Sequence, residues 1–80
     1  MMANEFFRFF DEVIKRSYYI HLDVDYNKAA DYCIKVYRKG CGEDGKDLVL
    51  CRAQDSDMEL AFAKAYVELK QWLCDNKVGY

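Results

Sequence analysis

The chain has little of what usually marks a catalytic, metal-binding or exported protein. It contains one histidine, His21, and its four cysteines (Cys33, Cys41, Cys51 and Cys74) form no C-x-x-C pair. Zinc sites draw on closer ligand pairs and on more nitrogen donors, so no metal is expected. His21 has no evident nucleophile beside it in the sequence, so an enzyme is not expected either. No apolar run approaches the roughly 20 residues that span a bilayer. The opening Met-Met-Ala-Asn-Glu-Phe-Phe-Arg lacks the basic region and apolar run of a secretory signal, which predicts a cytoplasmic protein with reduced thiols. A basic excess is missing as well. Twelve Lys and Arg against 14 Asp and Glu leave a net charge of −2 and a pI near 5.3, so bulk charge does not favour direct binding of nucleic acid.

What is present suits one small folded domain spanning residues 1–80. Apolar residues make up 52% of the chain and aromatics 16%, enough for a single core. Residues 19–26 alternate strictly. Ile20, Leu22, Val24 and Tyr26 share one face and Tyr19, His21, Asp23 and Asp25 the other, the period-2 pattern of a half-buried strand. Asn27-Lys28 breaks the pattern, and residues 31–39 resume it with Tyr32, Ile34 and Val36 opposite Cys33, Lys35 and Tyr37. A third run, 47–54, carries four consecutive apolar residues, Leu48 to Cys51. It reads as a central strand or one covered on both faces, and its register stays open.

Helical spacing flanks the three strands. Phe6, Phe9, Phe10 and Val13, widened by Phe7 and Ile14, predict a helix over 3–16 with its aromatic stripe in the core. Ser56-Asp57-Met58-Glu59 fits a capping box with Ser56 as the cap. Met58, Phe62, Ala65, Leu69 and Trp72 then form a core-facing stripe, while Lys64, Glu68, Lys70 and Gln71 face away. Asn76 to Gly79 supplies the stop. Short connections predict an α+β two-layer domain of order α-β-β-β-α, a three-stranded antiparallel meander with both helices on one face.

Two motifs are decoys. Gly40 to Gly45 spells G-x-G-x-x-G, but a strand follows it instead of a helix, and Glu43 and Asp44 would repel phosphate; a hairpin loop explains the letters. Asp23-Val24-Asp25-Tyr26-Asn27 opens like a calcium loop, yet its sixth position is Lys28 and its twelfth Ile34, where such loops carry Gly and Glu. No cofactor is expected.

Charge placement carries the functional expectation. In a meander, the end of the first strand, the start of the second and the end of the third share a rim. Asp23, Asp25, Asp31, Asp55, Asp57 and Glu59 would gather there, with Lys28 as the main counter-charge. Such a rim suits a basic protein partner, for instance a nucleic-acid-binding effector whose groove it would occupy. The alternatives are a nucleic-acid-binding module using the outer face (Tyr19, Tyr37, Lys35, Arg38, Lys39 and Arg52) and a homodimeric accessory protein of a mobile element.

The element order resembles that of the double-stranded RNA-binding domain. That family places lysines at the start of its second helix, where this chain has Asp55, Asp57 and Glu59. Two further segments, Val36 to Gly45 and Asp55 to Ala65, resemble parts of short prophage and mobile-element proteins. In layout the chain is also similar to the prophage-encoded anti-CRISPR proteins that inhibit Cas9. That resemblance implies a non-enzymatic inhibitor presenting carboxylates to a DNA-binding groove.

Overall fold

The computed structural model describes residues 3–76 of the 80. Helix α1 (Ala3–Glu12) leads into a turn of 3-10 helix (Ile14–Arg16). Strands β1 (Ile20–Asn27), β2 (Asp31–Arg38) and β3 (Leu48–Asp55) follow, and helix α2 (Met58–Asp75) comes last. The strands form one antiparallel sheet in the order β1-β2-β3, so the expected α+β architecture is the observed one. Phe6 and Phe9 of α1 and Ala61, Phe62, Ala65, Leu69 and Leu73 of α2 share a single core with Ile34, Val36, Cys51 and Ala53 of the sheet. Both helices therefore cover the same face.

Helix α1 stops earlier than its periodicity predicts. Val13 leaves helical geometry (φ −121°, ψ −57°) and the chain tightens before continuing extended at Ser17. The reason lies in where Ile14 must go. On an unbroken helix it would lie about two turns beyond Phe7 and on the same side, and Phe7 is 43% exposed. Breaking the helix turns Ile14 inward instead, where it is buried. Phe7 is not part of the buried stripe; it leans on Phe62 with ring centroids 5.2 Å apart.

The β1–β2 connection shows why Asn27 ends the first alternation. Its side-chain Oδ1 accepts hydrogen bonds from the backbone N–H groups of Ala29 (3.0 Å) and Ala30 (2.7 Å), a local turn that competes with further strand. Asp31 then takes a left-handed conformation (φ 60°), which aspartate tolerates. In the β2–β3 connection Gly40 and Gly45 have positive φ. Gly42 is required for a different reason: a Cβ there would sit 2.8 Å from the Asp47 carbonyl oxygen. The glycine-rich letters are those of a hairpin loop.

Strand β3 is an edge strand, neither central nor covered on both faces. Its run of four apolar residues comes from a bulge. Val36 pairs with Cys51 and Tyr37 with Val49, so Leu50 is the extra residue and turns into the core beside Cys51. Burial pushes the Cys51 thiol up to about 12, so it stays protonated and behaves as a small hydrophobe. All four cysteines are unpaired.

The start of α2 corrects the expected cap. Asp57, not Ser56, is the N-cap, and its Oδ1 accepts from the N–H groups of Glu59 (2.8 Å) and Leu60 (3.2 Å). With the cap one residue later, Glu59 lies too early in the first turn to close a capping box. Met58 was expected in the core and is 44% exposed, because it sits at the helix end beyond the sheet's cover. Asn76 closes α2, its side-chain Nδ2 donating to the Trp72 carbonyl (2.8 Å). The rest of the expected stop, residues 77–79, lies outside the described residues.

A candidate interaction edge on the first strand

The register fixes which way each β1 side chain points. Leu22 pairs with Val36 and Val24 with Ile34, and both partners are fully buried, so Leu22, Val24 and Tyr26 belong to the helix-covered face. His21, Asp23 and Asp25 stand on the open face, opposite Tyr37, Lys35 and Cys33. The cover is incomplete, however. Helix α2 lies over β3 and β2, and α1 packs against α2. The far half of β1 extends past both helices, leaving Val24 48% and Tyr26 55% exposed although they point to the apolar side. Tyr26 rests on Tyr32, with ring centroids 4.7 Å apart. From Asp23 to Asn27 every residue of β1 is exposed.

Of the six acidic residues expected at one rim, Asp31 and Asp55 lie at the turn end of the sheet, where Asn27 pairs with Asp31 and Tyr32 with Asp55, whereas Asp25 lies further along β1 and Asp23 is mid-strand opposite Lys35. The six divide into two groups by face and by occupation. Asp55, Asp57 and Glu59 surround the start of α2, and the first two are already engaged in the fold. Asp55 Oδ2 lies 2.7 Å from Lys64 Nζ, while its Oδ1 accepts from the Asp57 N–H at 2.8 Å. The Lys64 hydrogen bond, then those backbone N–H groups, holds the Asp55 carboxyl below its ordinary range. Asp57 is the cap, and Glu59 stands exposed where the helix dipole favours it. The counter-charge of this group is Lys64, which was expected to face away; it also donates to the Gln54 carbonyl at 3.2 Å. Lys28, expected in that role, forms no ion pair among the described residues.

Asp23 and Asp25 form the second group and make no ion pair among the described residues. Asp31, at the start of β2, closes the turn between the two groups. Beside Asp23, the open face carries a small aromatic stack. His21 and Tyr37 lie nearly parallel (14°) at 5.2 Å, and Lys35 Nζ sits 4.5 Å from the Tyr37 ring centroid. Desolvation first, then the Asp23 carboxylate through its charge and a hydrogen bond, raises the Tyr37 phenol above its ordinary value. Arg52 pairs across from Lys35 on the same face.

Among the described residues no three His, Cys, Asp or Glu side chains converge to hold a metal ion, and no helix is long and apolar enough to cross a membrane. No protein-family model matches the chain, and no curated protein and no solved structure matches it.

Proposed function

We propose that the protein is a non-catalytic interaction module that binds an extended, basic segment of a partner protein along the open edge of β1. The observation that carries the reading is the state of residues 23–27: an unpaired strand edge, exposed on both faces, with Asp23 and Asp25 on one side and uncovered Val24 and Tyr26 on the other. An added strand would take its main-chain hydrogen bonds from that edge. Its alternate side chains would then meet two carboxylates on one face and an apolar strip on the other. Lysine or arginine alternating with valine or leucine fits both. The carboxylates would steer association and make it sensitive to salt.

Nucleic-acid-binding effectors present such basic segments in their grooves, and an inhibitor that occupies one belongs to this reading, as the likeness to anti-CRISPR proteins implies. A cytoplasmic setting suits the four unpaired thiols. Titration with a short peptide of alternating lysine and valine tests the proposal, with backbone amide shifts as the readout. Shifts concentrated in β1, and binding weakened about tenfold in D23N/D25N, are expected for two solvent-exposed ion pairs. Binding that ignores both substitutions and added salt would overturn it.

A second reading rests on the open face, where the His21–Tyr37 stack, Lys35 and Arg52 could receive an unpaired base and its phosphate. Asp23 lies in the middle of that patch and opposes it. Retention of single-stranded nucleic acid in a low-salt gel shift, abolished by Y37A, would move the assignment to this face.

A further inference from the structure

The early break in α1 leaves a cavity of about 360 Å³ between the 3-10 turn, the end of α2, the end of β2 and the start of β3. Its apolar lining includes the buried side chains of Ile14, Leu50 and Leu73, and half-buried Trp72 forms part of the wall. Arg16 and Arg38 supply the charge. Arg38 is oriented by its Nε–H, which donates to the Tyr18 carbonyl at 3.3 Å. Among the described residues neither arginine has a carboxylate partner, and no acidic side chain lines the cavity. The volume falls within the roughly 300–1,000 Å³ of small-molecule pockets, which combine an apolar lining with a few placed polar groups.

We propose that this cavity binds a small organic anion, a carboxylate or sulfonate joined to a flat apolar body. The two guanidiniums would hold the head through charge-assisted hydrogen bonds, and Trp72, Leu50 and Leu73 would take the ring. The site is on the opposite end of the sheet from residues 23–27, and it stands or falls independently of the β1 edge.

Trp72 is the chain's single tryptophan, so its emission reports on the site directly. The probe is 8-anilinonaphthalene-1-sulfonate, compared with N-phenyl-1-naphthylamine, which has the same rings and no charge. Saturable one-site quenching of Trp72 by the sulfonate is expected, with much weaker binding of the neutral compound. R16Q and R38Q should each weaken the sulfonate about tenfold while leaving the neutral compound unchanged. Arg16 is exposed and makes no bond that the fold needs, so R16Q keeps the test valid if R38Q disturbs the turn at Tyr18. Equal binding of the two compounds, or sulfonate binding unmoved in R16Q, would overturn the proposal.

Discussion

At the scale of single residues, the most consequential side chain is a carboxylate that is not among the buried residues. Asp55 joins the last residue of β3 to α2 through Lys64 and presents its other oxygen to the Asp57 N–H. Because its folded pKa is lowered, its contribution to stability is complete above the ordinary aspartate value of 3.8 and is lost as pH falls through the depressed one. Asp55→Asn should therefore lower the melting temperature near neutral pH and flatten its fall on acidification below about pH 4. Thermal melts at stepped pH check this, and an unchanged acid slope would dissociate Asp55 from it. None of this was legible beforehand. Charge counting assigns Asp55 to a surface rim and Lys64 to the solvent side of a helix. Only the 2.7 Å approach of a strand end to a helix side chain makes them partners.

At the scale of elements, local sequence chemistry specified more than exact boundaries. Strict alternation identified β1 and β2 and the face each would bury, because a period of two admits one orientation once the core side is known. It could not say how far the helices reach, so the exposure of Val24 and Tyr26 had no signal in the pattern. Leu48 to Cys51 misled for a related reason. A bulge and a doubly covered strand both produce consecutive apolar letters, and only the pairing partner distinguishes them. The cap of α2 was ambiguous between neighbouring Ser56 and Asp57, each a good acceptor. The geometry separates them: Asp57→Ala should cost about 1 kcal/mol in chemical denaturation and Ser56→Ala much less. The reverse order would restore the capping box.

At the scale of the whole molecule, a three-stranded sheet with helices on one side has two free edges, and the fold treats them differently. β3 lies under α2, whereas the outer half of β1 has no cover. Asp23 and Asp25 are the acidic side chains on that half, and like charges disfavour the approach of a second identical strand. Asp23→Val with Asp25→Val should therefore produce dimers or larger species in light scattering at concentrations where the parent chain is monomeric. A variant that stays monomeric would show that the edge is protected by something other than charge. The extra residue in β3 has a wider consequence. With Leu50 unpaired and inserted among the buried side chains, sliding β3 along β2 by one position would place Arg52 and Gln54 in the interior and expel Ala53. The irregularity thus acts as an alignment pin, and the cost of misthreading keeps the hairpin from settling into a near-native but shifted arrangement.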